Sequence, residues 1–530
     1  MRKIFVLIAF IVTVQLPAQT LTSGGKLRPE QAIMNVRHYT IALNVDFNQR
    51  SIEGYTTIDV IMAKSTNVLL FDLLDSFNVH SVLVNGAKRS FDHKDNLITI
   101  RLDKALPAGK ASVRVLYGGK PHVARRPPWD DGFIWTKDST GHPWMAITAE
   151  GTGGKLYFPC KDHPSDEPDE GVDMFITVPK DLVVAGPGLL QKVTKHGQTA
   201  TYHWKTHYTI NNYSIIFNVG DYKVVSRSYT TVDGHTVPIQ FYILQEHADK
   251  AKHHLDIFEK TIHEQEKYFG EYPWVKEKIG LVETPHLGME HQTMNAYGNN
   301  FRYTKVGGED YDWLMHHEFG HEWWGNKVTA KDWADYWIHE GICAYGDALY
   351  VREFEGEAAY INLFKTKIFF GIKNDLPVVL GKDIDEERAY HSDIYSKGAF
   401  FMHTLDYIMG DNLFFPTLKG FVTDPKYTYS NLVSTEDVEQ YFSKAYGHDL
   451  KPLFDLYLYT IDKLNIHVKT LADDKYLVQL ENIEMPLPLD ITTDGMTKRY
   501  TVDKKGITIS SKTIPIIDPD TFYIKKVTIE

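Results

Sequence analysis

Two histidines at a helical spacing are the residues of this chain best suited to chemistry. In the segment His317-Glu318-Phe319-Gly320-His321 they lie four residues apart, so on a helix both imidazoles project from one face toward a single point. That point can hold a metal ion. Because a catalytic zinc ion usually takes three protein ligands and keeps a fourth position for water, a third ligand is expected nearby.

Glu340 is the candidate third ligand. It lies nineteen residues after His321, inside a second helical pattern over residues 332–350. An antiparallel helix brings its carboxylate over the histidine pair and completes a His2Glu set with zinc distances of about 2.0–2.2 Å. Glu318 is predicted to be the general base, which accepts a proton from zinc-bound water whose pKa the metal has lowered to about 7.

The alternative for this segment is an amphipathic core helix whose histidines are satisfied by hydrogen bonds. The chain contains 24 histidines, so an isolated motif of this kind can arise by accident. The second glutamate at a suitable distance favours the metal site.

The elements that must position these residues fall into several domains, since 530 residues exceed what one hydrophobic core supports. Short runs rich in Val, Ile, Thr and Tyr predict an N-terminal antiparallel β domain over residues 19–224. Residues 225–462 change to a helical period and form the predicted catalytic domain, and residues 463–530 return to alternating strands as a small β domain. The fold class is therefore α+β and multidomain.

The first residues suggest export. Arg2 and Lys3 precede an apolar run from Ile4 to Val14, followed by Ala18, which is typical of a signal peptide over residues 1–18. An uncleaved anchor is the alternative. We expect a protein that is soluble outside the cytoplasm, either periplasmic or secreted.

The net charge of the chain favours some classes of ligand over others, and the cysteines are few. A net charge of −12 argues against a nucleic-acid partner and favours cationic ligands. Cys160 and Cys343 are the two cysteines, and we expect both to be unpaired buried thiols.

Other segments place further residues near the metal. Gly288, Met289 and Glu290 lie in a stretch expected to form an extended edge strand along a cleft, where a substrate backbone can pair. Tyr395 opens an apolar helix. Ser434 and Asp437 resemble a capping box, with Asp in place of Glu.

Taken together, these motifs resemble the gluzincin aminopeptidase family typified by aminopeptidase N and leukotriene hydrolase. Besides Gly288-Met289-Glu290 and the two metal motifs, the segments Tyr395-Ser396-Lys397-Gly398 and Phe269-Gly270-Glu271-Tyr272-Pro273 are similar to family motifs. The resemblance spans roughly residues 30–460. It implies a saddle-like β domain, a thermolysin-like catalytic domain, one zinc ion, and release of N-terminal amino acids from peptides.

The resemblance also assigns roles. His317, His321 and Glu340 would bind zinc, and Glu318 would be the base. Glu290 and Tyr395 would act on the substrate.

Glu290 would hold the free α-amine, since a carboxylate gives a cationic amine a charge-assisted hydrogen bond. Tyr395 would donate a hydrogen bond to the oxyanion. Glu150, ten residues before Cys160, would be a second amine anchor; the alternative is an ordinary loop carboxylate. Asp347 follows Glu340 by seven residues and is either a support for a ligand imidazole or an exposed helix carboxylate.

Departures from the family pattern affect the expected specificity. Leu287 and His291 stand at the two ends of the motif around Glu290, where the family has Gly and Asn, and Glu322 and His339 replace a usual Gln and Asn. His291 could change the selectivity or the pH response. Relatives carry a large helical domain over the cleft, whereas residues 463–530 are strand-like; we expect a more open site unless a partner subunit covers it.

Other functions remain open. An endopeptidase with an open cleft shares the same chemistry, and a catalytically silent peptide-binding relative or an epoxide hydrolase is a further alternative. The intact Glu318 and Tyr395 argue against the silent relative. The oligomeric state and the preferred N-terminal residue are not determined by these patterns.

Overall fold

The computed structural model describes residues 21–472 and 474–530. The expected signal peptide, residues 1–18, lies outside the described residues. Every helix in the described part is too short or too polar to cross a membrane.

The first part of the chain consists almost entirely of strands. A short helix, α1 (Pro29–Ala32), precedes them. The strands are β1 (Met34–Asp46), β2 (Ser51–Met62), β3 (Thr66–Asp72), β4 (Phe77–Val84), β5 (Ala87–Arg89), β6 (Phe91–Lys94), β7 (Leu97–Leu106), β8 (Gly109–Gly119), β9 (Gly132–Lys137), β10 (Pro143–Thr148), β11 (Val172–Pro179), β12 (Val183–Ala185), β13 (Leu189–His196), β14 (Thr199–Thr206) and β15 (Asn218–Gly220).

These strands form three sheets within the described chain. The largest has the order β13-β14-β11-β1-β2-β8-β4-β5, and the others are β12-β15-β10-β9 and β3-β7-β6. Alternate residues of β2 are buried, as expected of strands with one face on a core. The predicted antiparallel pairing holds with one difference, because β1 and β11 run parallel, with Tyr39 opposite Val172.

The middle of the chain combines a five-stranded mixed sheet and a separate two-stranded sheet with helices. Its strands are β16 (Tyr222–Thr230), β17 (Thr236–Leu244), β18 (Ile279–Glu283), β19 (Gly288–Met289), β20 (Asn295–Tyr297), β21 (Thr304–Val306) and β22 (Glu309–Tyr311). Its α-helices are α2 (Ala251–Phe269), α3 (Trp313–Gly320), α4 (Trp337–Glu355), α5 (Glu357–Leu363), α6 (Phe369–Gly371), α7 (Glu386–Ala389), α8 (Asp393–Met409), α9 (Asp411–Thr423), α10 (Thr435–Tyr446) and α11 (Lys451–Phe454).

Helix boundaries follow local capping chemistry. Gly270, at φ +86°, ends α2, because glycine enters this backbone region without steric cost. Ser434 and Asp437 form the predicted capping box of α10, which satisfies two otherwise unpaired N–H groups.

The mixed sheet carries an edge strand toward the site. Its order is β16-β17-β18-β20-β19, so β19 lies at the edge, and Met289 pairs with Ala296 of β20. The prediction of an edge strand at Gly288 and Met289 is confirmed.

The C-terminal strands pack on the helices rather than standing apart. They are β23 (Leu464–Ala472), β24 (Lys475–Leu480), β25 (Leu487–Thr493), β26 (Met496–Val502), β27 (Ile507–Ser510), β28 (Ile516–Ile517) and β29 (Lys525–Ile529). Phe522 stacks on Tyr407 of α8, with 3.9 Å between ring centroids, and its carbonyl accepts a hydrogen bond from Thr404. One hydrophobic core therefore runs from the helices into this β module.

Both cysteines are free and buried, as predicted. Their burial among apolar side chains is typical of cysteine acting as a small hydrophobic residue.

Candidate active site

Three ligand atoms converge where the sequence predicts a metal. His317 Nε2 and His321 Nε2 lie 3.4 Å apart, and they lie 3.4 Å and 3.5 Å from Glu340 Oε2. A tetrahedral ion with bonds of about 2.1 Å separates its ligand atoms by about 3.4 Å. The triangle therefore has the size that zinc requires.

The donor chemistry also fits zinc. Glu340 is 2% exposed, and its Oε2 has no hydrogen-bond partner among the described residues. A buried, unpaired carboxylate oxygen is costly unless an ion or water satisfies it. Nδ1 of His321 faces the carbonyl of Trp324 at 2.9 Å, which leaves Nε2 for a metal.

Helix ends position these ligands. Asp312 caps α3 by accepting a hydrogen bond from the N–H of Met315, which is a favourable N-cap interaction. The helix ends at Gly320, so His321 lies at its C-cap with helical backbone angles. The second predicted helix begins later than expected, because a single 3-10 turn at Trp333–Asp335 precedes α4.

Two glycines bring the helix of Tyr395 against the helix of Glu340. A Cβ atom at Gly341 would lie 2.8 Å from Cα of Gly398. The two helices cross at this pair without side chains between them, so the glycine that follows each functional motif has a packing role.

Glu318 lies beside the ligand triangle. It is 9% exposed and lines the cleft. Burial raises the pKa of Glu318 to about 8. The nearby His317 lowers this pKa, and repulsion from Glu290 raises it further. A Cβ at Gly288 would lie 2.5 Å from Glu318 Oε1, so a larger residue at this position of β19 would displace the carboxylate.

Two further carboxylates form a wall of the cleft near the triangle. Glu290 follows Met289 of β19 and is 3% exposed, and Glu150 comes from the loop after β10. Each has an Oε1 without a hydrogen-bond partner among the described residues. Burial raises the pKa of Glu150 well above its usual value, with repulsion from Glu290 and Glu340 adding to the rise. This wall has unused capacity for a cation.

Tyr395 reaches the cleft from α8, as predicted, and its ring stacks over His317. Sequence reasoning missed Tyr390, whose hydroxyl hydrogen-bonds that of Tyr395 and donates to Glu340 Oε1 at 3.4 Å. The only sequence feature that links Tyr390 to the site is its position five residues before Tyr395. This spacing does not predict a contact between the two hydroxyl groups.

Asp347 contacts His317, one of the candidate metal-binding histidines, which is the geometry that the first of its two predicted roles requires. Its Oδ2 lies 2.8 Å from His317 Nδ1. Its Oδ1 lies 2.7 Å from Nδ1 of His316, a residue that sequence reasoning did not single out. Burial alone would lower the pKa of His316, but hydrogen bonds with Asp347 and Glu264 raise it to about 9.

Of the four departures from the family pattern, Leu287 lines the cleft, whereas His291, Glu322 and His339 are buried around it. His291 is fully buried, and its Nε2 faces the carbonyl of Ala149 at 3.0 Å, so it holds the loop that carries Glu150. Burial lowers the pKa of His291 to about 4 and that of His339 to about 3.

Glu322, another of these departures, ties the metal segment to neighbouring loops. It accepts hydrogen bonds from Trp274 Nε1 at 2.6 Å and from the N–H of Thr293 at 2.9 Å. Burial raises its pKa to about 8.

The cleft lined by the ligand triangle, Glu318, the carboxylate wall and the tyrosine pair has a volume of about 540 Å³. Among the described residues that line it, there are seven carboxylates and no lysine or arginine: Asp130, Asp131, Glu150, Glu290, Glu318, Glu340 and Glu386. Burial and repulsion from Asp131 raise the pKa of Glu386 to about 7. The cleft is therefore suited to a cationic ligand.

Comparison with known families agrees with this geometry. Residues 253–457 match the model of the peptidase family M1 domain. This segment is a peptidase family M1 domain. The M1 domain includes the ligand triangle, Glu318, Glu290 and Tyr395, whereas Glu150 lies in the β part before it.

Curated relatives extend the similarity beyond the M1 domain. Puromycin-sensitive aminopeptidase of Caenorhabditis elegans is 24% identical over 443 residues, covering 78% of this chain and 46% of that protein. Leucyl aminopeptidase of Saccharolobus solfataricus is 21% identical, covering 90% of this chain and 61% of that protein. Leukotriene A-4 hydrolase of Xenopus laevis is 23% identical over 73% of this chain and 65% of that protein. The chain thus spans about half to two thirds of their length.

Solved structures share the fold. An M1 zinc metallopeptidase from Deinococcus radiodurans superimposes with a TM-score of 0.65 at 22% identity, covering 80% of this chain and 92% of that chain. A mutant of that protein was solved with a Tyr-Ser-Ala substrate, with a TM-score of 0.65. The predicted arrangement of an N-terminal β-rich part, a central helical part and C-terminal sheets is confirmed.

Proposed function

We propose that this protein is a zinc-dependent aminopeptidase that removes N-terminal residues from peptides. One observation carries the proposal: a zinc-sized ligand triangle lines the same cleft as Glu150 and Glu290, two buried carboxylates that each have an oxygen without a partner among the described residues. The names of the curated relatives support the same activity.

His317, His321 and Glu340 would hold one zinc ion, which when bound supplies a Lewis acid and makes water a better nucleophile near neutral pH. Asp347 and the carbonyl of Trp324 orient the two imidazoles from behind. Such outer partners tune the ligands.

Glu318 is placed to move the proton. It lies within reach of the triangle, and its raised pKa, about 8, lets it accept a proton at its carboxylate and give it up again near neutral pH. It would take a proton from the attacking water and deliver it to the nitrogen of the departing peptide.

Tyr395 is placed to stabilise the developing charge. Its hydroxyl would donate a hydrogen bond to the carbonyl oxygen of the scissile bond, and loss of such a donor costs about 2.7–4 kcal/mol. Tyr390, in contact with that hydroxyl, would hold it in place.

Glu290 and Glu150 would select the free N-terminus. An ammonium group satisfies their unpaired oxygens and relieves the repulsion between them. This wall disfavours an endopeptidase, whose substrates place a neutral amide at that position and leave both carboxylates unpaired.

Three measurements test the proposal. Chelation should abolish hydrolysis of amino-acid arylamides, and zinc should restore it. Glu318→Gln should retain zinc, as seen by elemental analysis, yet lose turnover. Cleavage of N-acetylated peptides at the same rate as free peptides would instead indicate an endopeptidase.

We also propose that the protein is exported to the periplasm or secreted. The basic and apolar pattern over residues 1–18 supports this. Mass spectrometry of the protein from its own cells should show a mature chain that begins near residue 19, and a full-length chain in the cytoplasm would refute export.

A further inference from the structure

A buried histidine lies directly beside the ligand triangle. His316 is on α3 and has no exposed surface. Its Nδ1 is 2.7 Å from Asp347 Oδ1, and its Nε2 is 2.9 Å from Glu264 Oε2. An ionised carboxylate has no hydrogen to donate, so His316 is the donor in both bonds.

Asp347 uses both oxygens in this arrangement. The second oxygen, Oδ2, accepts from His317 Nδ1 at 2.8 Å. With its Nδ1–H held in this way, His317 directs the lone pair of Nε2 toward His321 and Glu340. The orientation of Asp347 therefore controls the orientation of a proposed zinc ligand.

Asp347 needs a second anchor because it is not fully buried. Its side chain is 30% exposed, so water competes for its oxygens and its rotamers are open to exchange. A bond to a fully buried imidazole restricts that freedom, since His316 itself is held on its far side by Glu264.

Glu264 completes the connection. It lies on α2 and is 3% exposed. The amide Nε2 of the neighbouring Gln265 donates a hydrogen bond to the carbonyl of His316 at 3.3 Å. The chain of contacts Glu264–His316–Asp347–His317 thus ties α2, α3 and α4 together behind the triangle.

We propose that His316 and Glu264 are positioning residues that increase the affinity of the site for zinc by fixing Asp347 and, through it, His317. The inference rests on the proposed zinc site. It assigns a role to two residues that touch neither metal nor substrate. Outer partners of this kind typically change metal affinity 10- to 100-fold.

Zinc affinity of the purified full-length protein tests the proposal, measured by competition with a chromophoric chelator. His316→Gln should weaken zinc binding about 10- to 100-fold. His403→Gln is the matched control, because His403 is also a buried histidine, 1% exposed, that hydrogen-bonds Tyr360 away from the site. We expect less than about a threefold change there. Unfolding of each metal-free protein by denaturant reports whether the variant is folded.

A second variant keeps the test decisive if His316→Gln does not fold. Glu264→Gln retains the volume and one hydrogen-bonding oxygen, and we expect a smaller loss of zinc affinity, roughly three- to tenfold. Wild-type affinity in folded His316→Gln, or in Glu264→Gln when the first variant is unfolded, would overturn the positioning role and leave the proposed function standing. A wild-type protein that binds no zinc would overturn both.

Discussion

Replacing Glu290 with glutamine gives the sharpest test of the amine-binding wall. Glu290 is 3% exposed and has one oxygen without a partner among the described residues. Glutamine keeps the shape but removes the charge, so a bound ammonium loses a charge-assisted hydrogen bond worth about 1.5–3 kcal/mol. Since 1.36 kcal/mol is a factor of ten, kcat/KM for leucine arylamide should fall roughly 10- to 150-fold.

Paired inhibitors isolate the amine. Leucine hydroxamate and 4-methylpentanoyl hydroxamate differ only in the α-amine, so Glu290→Gln should raise the inhibition constant of the first by a similar factor and leave the second within about threefold. Glu386→Gln is the control, because it removes one ionisable carboxyl group from the same cleft and should change neither inhibition constant by more than about threefold. If both inhibitors weaken equally in Glu290→Gln, or neither does, the assignment of Glu290 is wrong.

Three further predictions concern the tyrosine pair, the acidic cleft and the buried carboxyl of Glu167. Tyr395→Phe should lower kcat by about 10²–10³, and Tyr390→Phe by roughly tenfold because Tyr395 keeps its hydroxyl; equal losses in the two variants would contradict this order. The Asp131 and Glu386 carboxylates beside the amine wall should favour substrates with N-terminal arginine over those with its neutral isostere citrulline. Glu386→Gln should reduce the ratio of kcat/KM for arginine to kcat/KM for citrulline severalfold. An unchanged ratio would refute the role of Glu386. Burial raises the pKa of Glu167 from 4.5 to about 8, so its contribution to stability is fully present below pH 4.5 and is lost as pH rises toward 8, by up to about 5 kcal/mol. Denaturant unfolding between pH 5 and 8.5 should therefore show a smaller decline in the free energy of unfolding for Glu167→Gln than for the wild type. Parallel curves for the two proteins would show that the Glu167 carboxyl does not cause the decline.

The sequence predicted those parts of the candidate site whose geometry depends only on residues close together in the chain. A helix places His317 and His321 on one face whatever surrounds it, and Asp347 follows Glu340 by two helical turns. Capping at Gly270 and the box at Ser434 depend on neighbouring residues in the same way.

Other parts could not be predicted because they depend on contacts between distant segments. His316 meets Glu264 across 52 positions, and Gly341 meets Gly398 where two helices cross. The parallel pair of β1 and β11 and the packing of Phe522 on α8 likewise join parts of the chain whose local patterns carry no sign of one another.

The amino-acid sequence by itself determined which side chains could bind a metal and move a proton, since residue type and helical or strand period are local properties. Only the tertiary structure determined the 3.4 Å spacing of the ligand atoms, the acidic lining of the cleft and the contacts of His316 and Glu264 behind Asp347. These depend on distances between helices and loops, and packing of the whole core sets those distances.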